Sequence, residues 1–287
     1  MARKNIFEIA SDSINMSNET TRIVRMFKED DTLYLSSTNG FTIADYVDGF
    51  LFDDWKWRGH FLDVDDYLES IDFDDIVRLA EHHVTEGFLT LIELVYNFWS
   101  LAYKELTREG TNLTWDGHFY HLQDVMEDCL QKYNHKAYEC DDRILVIEDK
   151  PEVTAVAEIV EHSLAIDVIR YNHHSLKGEL DAKKSILLAL GTELEPRRRE
   201  LQALNKQLSE DVFFMLNNVN LRHNNCNESD ASKYKETVAQ MTSDQLEEWY
   251  DELYQMMLLA ILLLDNEDRT KKVKELKEKI IGDATNG

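Results

Sequence analysis

Phe213-Phe214-Met215-Leu216-Asn217-Asn218-Val219-Asn220-Leu221-Arg222-His223-Asn224-Asn225-Cys226-Asn227 joins an apolar run to a cluster of polar groups. Counting back from Arg222 through Val219, Met215, Val212, Leu208, Leu204 and Leu201 gives steps of three and four, the spacing of one buried helix face. The spacing predicts a long helix that starts at Pro196 and ends at Arg222 and His223. Six asparagines lie between 217 and 227, although their short amides compete with a helix for backbone groups. A guanidinium on an apolar stripe needs either a carboxylate or carbonyl that satisfies it or an anionic ligand. His223 falls about 100° further round the same helix.

The segments on either side of this stretch read as helices. Val153, Val156, Val160, Leu164, Val168 and Tyr171 form one stripe, and Gly178 opens a helix through Leu194. Thr242-Ser243-Asp244 is a capping cluster before a helix with Leu246, Trp249, Leu253, Met256, Ala260 and Leu264 on one face. Lysine and glutamate from Arg269 to Ile281 extend that helix as a charged end. Four antiparallel helices then make a bundle over residues 151–287.

Before residue 151 the reading is more mixed. Asn5 to Lys28 reads as an amphipathic helix with Ile6, Ile9, Ile14, Ile23, Val24 and Phe27 inward. Thr32 to Ser37, the Asn39-Gly40 dipeptide and Phe41 to Ile43 read as a small hairpin. Helices follow over Asp72–Glu86, Phe88–Leu106 and Trp115–Tyr133, the second burying Phe88, Leu91, Ile92, Val95, Phe98, Trp99, Ala102 and Leu106. A second hairpin runs from Lys136 to Ile147 through Asp141-Asp142. The expected fold is therefore mainly α, with one or two small β-hairpins. Its parts are an acidic, aromatic-rich, mostly helical region over 1–135, a hairpin connection over 136–150 and the bundle.

The composition, 43% hydrophobic with two prolines and ten glycines, suits long helices around a sizeable core. Cys129, Cys140 and Cys226 form no CxxC pair, which points to a reducing cytoplasm and away from a thiolate zinc site. The amino terminus lacks a signal-peptide core, and the longest apolar run, Met256 to Leu264, is too short to span a bilayer. No membrane partner and no cofactor is expected.

The net charge is −25, and 31 acidic against 14 basic residues through position 150 carry −17 of it. Such a surface repels a phosphate backbone unless basic groups gather locally, as at Arg197-Arg198-Arg199 and in the Arg269–Lys279 tail. Between Asp45 and Asp75 eleven acidic residues face only Lys56 and Arg58, interleaved with Tyr46, Phe50, Phe52, Trp55, Trp57, Phe61 and Tyr67. This segment reads as a place for a basic protein partner, or as a surface that imitates DNA. Asp63-Val64-Asp65-Asp66 and Asp72-Phe73-Asp74-Asp75 offer oxygen ligands, but the EF-hand glycine and glutamate are missing, and the acids suit helix N-caps better. The histidine pairs, His118 with His121 included, read as surface residues rather than metal ligands.

On Asn217, Asn218, Leu221, Arg222, His223, Asn224 and Asn225, followed by Trp249-Tyr250-Asp251 and the apolar run to Leu264, the carboxy-terminal half resembles the helical domains of the HEPN superfamily. It looks like those of bacterial abortive-infection and phage-defence proteins. The resemblance implies a homodimer through the carboxy-terminal helices. It also implies a metal-independent RNA endonuclease or toxin, with Arg222 and His223 as catalytic groups at the scissile phosphate. Asn217, Asn218, Asn220, Asn224 and Asn225 would then bind RNA or shape the site. The family's nuclease pattern has a histidine four to six residues after the arginine; here the two are adjacent, and Arg170 with His174 has three residues between them.

Metal-free RNA cleavage needs a base for the 2′-OH and cations or amides for the charge on phosphorus, and these residue types supply both. The other reading of the same residues is a buried hydrogen-bonding cluster that fixes the helix end and a dimer interface.

Overall fold

The computed structural model describes residues 15–35 and 39–285. Over the described residues the fold is mainly α with two small antiparallel sheets. It divides into two compact units between Asp149 and Lys150. Among the described residues no helix is long and apolar enough to cross a membrane.

The first unit opens with α1 (Met16–Lys28), whose Asn15 cap accepts the Ser17 N–H at 3.0 Å. It buries Ile23, Met26 and Phe27, whereas Ile6, Ile9 and Ile14 lie outside the described residues. β1 (Leu33–Leu35) pairs with β2 (Asn39–Phe41) and, on its other edge, with β3 (Leu113–Trp115). Asn39-Gly40 therefore belongs to a strand rather than to a turn, and residues 36–38 lie outside the described residues. Trp115, expected at a helix start, is the partner of Leu33.

α2 (Ile43–Phe50), α3 (Val64–Ser70) and α4 (Phe73–Glu81) lead to α5 (Thr85–Leu106), the centre of this unit. All eight side chains expected on its inner face are buried. Gly87 lets α4 and α5 cross closely, because a Cβ there would sit 2.6 Å from the Leu79 Cβ. α6 (Gly117–Lys132) follows, capped by Asp116, whose Oδ1 accepts the His118 N–H. The hairpin of β4 (His135–Cys140) and β5 (Arg143–Glu148) closes the unit. Asp141 and Asp142 at its tip both have positive φ, as a two-residue type I′ turn requires.

In the second unit α7 (Pro151–Ala157) and α8 (His162–Tyr171) are separate, so the stripe from Val153 to Tyr171 breaks after Ala157. α9 (Leu180–Leu194) comes next. The helix expected from Pro196 onward is two helices, α10 (Arg198–Leu204) and α11 (Lys206–Asn218). The break is at Asn205, whose backbone is extended and whose side chain caps α11 by accepting the Leu208 N–H at 3.1 Å. Leu204 is exposed in consequence.

After the one-turn α12 (Glu236–Ala239), α13 (Ser243–Thr285) runs for 43 residues and packs against α7, α9, α10 and α11. Leu253, Ala260 and Leu264 are buried on it as expected. The face is rotated, however: Tyr250, Tyr254 and Met257 turn inward and Trp249 is exposed.

Candidate functional site

α11 stops at Asn218, so Arg222 and His223 do not lie on a helix. Val219 leaves the helical region and Asn220 takes φ +53, a left-handed conformation that asparagine tolerates better than most residues. The helix end closes when the Arg222 N–H donates to the Leu216 carbonyl at 3.0 Å. Beyond it the chain runs as bends and turns to α12.

The asparagines serve this turn. Asn217 and Asn218 donate their side-chain amides back to the Phe213 and Phe214 carbonyls, at 2.7 and 2.8 Å. Asn224 accepts the Cys226 N–H at 3.2 Å. Asn225 is 1% exposed. Its Oδ1 accepts the Asn220 N–H at 2.8 Å, and its Nδ2 donates to the Lys233 carbonyl at 2.7 Å and the Asn217 carbonyl at 3.4 Å. The Lys235 N–H donates to its carbonyl at 2.8 Å, and Tyr250 OH donates to the Asn220 carbonyl at 3.4 Å. A buried amide with its donors and acceptor all engaged fixes a loop.

Arg222 forms an ion pair with Glu195, the residue after α9. Its guanidinium carbon lies 5.7 Å from the centre of the Phe213 ring, and that of Arg198 lies 4.3 Å from the same ring. Gly191 makes room for this packing, since a Cβ would meet Leu216 Cδ1 at 3.0 Å and Arg222 Nη2 at 3.7 Å. The Arg222 side chain keeps 27% of its surface. His223 is partly exposed, and among the described residues its ring makes no hydrogen bond that would set its tautomer. The turn brings the predicted residues together in sequence, but most of their polar capacity is directed at the protein itself.

A second polar cluster escaped the sequence reading. Lys183 is buried on α9 and contacts Glu247 Oε1 and Asp251 Oδ1, each at 2.7 Å. Tyr171 stacks on Tyr254 at 3.9 Å between ring centres. Asn172 Nδ2 donates to Tyr254 OH at 2.7 Å, and that hydroxyl donates to the Val168 carbonyl at 2.8 Å. Burial, then the Asp251 charge, raises the Tyr171 phenol far above its ordinary value. Burial would raise Glu247, yet Lys183 and the Gly178 N–H together hold it below the usual glutamate value. The signal was present: Lys183, Leu187, Leu190 and Leu194 share helical spacing, and a lysine in that row needs a buried partner.

Between Asp45 and Asp75 most aromatic residues turn inward, Phe50 and Trp57 excepted, and most carboxylates outward. Tyr46, Phe52 and Trp55 are buried, and Phe52, Trp55 and Phe61 pack around Tyr67 edge to face, with Phe52 and Trp55 tilted to each other. Asp63 caps α3 by accepting the Asp66 N–H at 2.7 Å, Asp48 accepts the Val64 N–H at 2.8 Å, and Asp66 accepts the Leu62 N–H at 3.1 Å. Asp45, Asp53, Asp54, Asp65, Glu69 and Asp74 are exposed, Asp65 to 91% of its side chain. Phe50 and Leu62 are exposed among them, Leu62 at 81%. His118 and His121 are both exposed on α6, and the His118 ring faces Asp116 at 3.2 Å.

No protein-family model, curated protein or solved structure matches the chain.

Proposed function

We propose that the chain acts by binding: the face built from residues 45–75 of the first unit captures a basic protein. The observation that carries this reading is that Tyr46, Phe52 and Trp55 are buried while the carboxylates of the same segment stay in solvent together with exposed Phe50, Trp57 and Leu62. Carboxylates around apolar groups suit a partner that presents lysine or arginine beside apolar side chains, including one whose DNA-binding groove the face would occupy. The cytoplasm fits such a role, since Cys129, Cys140 and Cys226 are free thiols.

The test is binding of a lysine-rich amphipathic helical peptide to the full chain, beside the variant Asp54→Lys/Asp65→Lys/Glu69→Lys. None of these three side chains caps a helix. Wild type should bind with a strongly salt-dependent association rate, and the variant should lose at least tenfold. Equal binding by both sinks the reading.

A second reading is a HEPN-type anti-phage protein that cleaves RNA without metal at Arg222 and His223. It is favoured by the two guanidiniums, of Arg198 and Arg222, gathered on Phe213 in an otherwise acidic chain. Exposed Phe214, Trp249 and Leu259 would serve its homodimer. Cleavage of total RNA and tRNA in EDTA that Arg222→Ala and His223→Ala both lose would establish this activity; RNA left intact by wild type would remove it.

A further inference from the structure

Two ion pairs tie the middle of α13 to the rest of its unit. Arg197 pairs with Asp268 at 2.9 Å, and Lys271 reaches Glu200 at 3.0 Å. Beyond Lys271 every side chain described on the helix is exposed. Val273, Leu276 and Ile280 are 49%, 56% and 59% exposed, far more than the buried residues of the same helix upstream. Their steps of three and four put them on one narrow row.

That row has the spacing of alternating a and d positions of a heptad: Val273 at a, Leu276 at d and Ile280 at the next a. Lys272 and Lys279 then occupy g positions and Lys277 an e position, on both flanks of the row, while Glu275 and Glu278 fall on the outer side. Among the described residues no ion pair engages Lys272, Lys274, Lys277 or Lys279. From 272 to 281 four lysines stand against two glutamates, in a chain of net charge −25.

From this pattern we propose that the end of α13 is a docking strip for an amphipathic helix of another protein, one with apolar a and d positions and glutamate or aspartate at e and g. The charge pattern selects the occupant. A second copy in parallel would set Lys272 against Lys277, and an antiparallel copy would set g against g and e against e, again lysine against lysine. A membrane surface calls for a wide apolar face with bulky anchors such as tryptophan or phenylalanine, and this row is narrow and has neither. Acidic flanks on a partner helix convert all three lysines into interhelical pairs.

A seam of little more than one heptad is short for a free coiled coil. Here the helix is already in place as the continuation of α13, so only the partner has to be ordered. The inference does not depend on the acidic face of residues 45–75.

The test uses the full chain and a fluorescent three-heptad peptide with isoleucine or leucine at a and d and glutamate at every e and g. We expect saturable anisotropy binding, at least tenfold weaker for the same peptide with lysine at e and g, and at least tenfold weaker for Leu276→Asp. Lys272→Glu/Lys277→Glu/Lys279→Glu should reverse the preference between the two peptides. Leu276 projects into solvent, so unchanged circular dichroism and urea midpoint will separate lost docking from lost folding. Equal binding of both peptides, or full binding by Leu276→Asp, overturns the proposal. So does a dimer in sedimentation that Leu276→Asp abolishes, or co-flotation with phosphatidylserine vesicles without peptide binding, since these identify a second copy or a lipid surface as the occupant.

Discussion

Lys183 and Tyr171 share one acceptor: Asp251 Oδ1 takes a hydrogen bond from Lys183 Nζ at 2.7 Å and from Tyr171 OH at 2.9 Å, with the ammonium 5.2 Å from the Tyr171 ring centre. α8, α9 and α13 are thus joined by one carboxylate. Lys183→Ala leaves Glu247 and Asp251 without their cation; Asp251 keeps 51% of its side-chain surface, but Lys183 and Glu247 are largely buried, and removing one partner of such a pair costs about 3 kcal/mol. Urea denaturation should show that loss, and adding Glu247→Gln to Lys183→Met should recover a large part of it.

The same cluster sets the response to pH. Glu247 is held below its ordinary value, so its contribution is complete above the unfolded value of about 4.3 and disappears as pH falls through the folded value. Tyr171 and Tyr254 are raised by burial, and burial pushes Tyr250 up to about 12. Their contribution is complete below about pH 10 and is lost as pH rises further, because the unfolded chain gives up those protons first. Urea midpoints measured against pH should fall at both ends. Tyr171→Phe should weaken the alkaline fall, and Glu247→Gln the acid one.

Asn225 and Asn218 differ although both belong to the asparagine cluster. Asn225→Ala removes a buried amide and leaves the Asn220 N–H and the Lys233 carbonyl without it, a loss of about 2 kcal/mol. Asn218 bonds only to the carbonyl one helical turn back, so Asn218→Ala should be neutral or slightly stabilising. Thermal unfolding of the two variants checks the contrast.

Glu195 decides how much of Arg222 is open to a ligand. On the binding reading, Glu195→Gln lowers stability by about 1 kcal/mol or less and leaves single-stranded RNA binding unchanged. A gain in RNA affinity of tenfold or more in Glu195→Gln would favour the nuclease reading, because freeing the guanidinium would then matter. Filter binding at fixed salt gives the answer.

Asp63 and Asp65 separate structural acids from presented ones. Asp63→Ala removes the cap of α3 and should cost about 1 kcal/mol. Asp65→Ala, at a side chain almost wholly in solvent, should leave the urea midpoint unchanged while weakening binding of the basic peptide.

The parts legible in the sequence were those fixed locally. The inward face of α5 follows from helical spacing alone, and the β4–β5 hairpin from the Asp141-Asp142 turn between Lys136–Glu139 and the apolar run Ile144–Ile147. β3 was not legible, because Leu113 and Trp115 pair with a strand some eighty residues earlier. The break at Asn205 was hidden by Leu201, Leu204 and Leu208, whose spacing suits an unbroken helix. At the candidate site the residue types were visible and their duties were not. Arg222 meets a glutamate 27 positions upstream, and Asn225 reaches Lys233 and Asn217 across a turn that no period describes.

The hairpin tip also acts on the acidic face. Asp142 holds Lys56 at 2.9 Å, the Asp141 carbonyl accepts from Trp57 Nε1 at 3.0 Å, and Arg143 covers the Trp57 ring at 4.2 Å. The loop that carries Asp53 and Asp54 is thereby moored at one end to β4–β5 and at the other to α3 through Asp48. On the binding reading, the backbone that presents these charges is then held at a set pitch. A partner would be selected by the distance between its own cations, and one with the right total charge in the wrong pattern would be turned away.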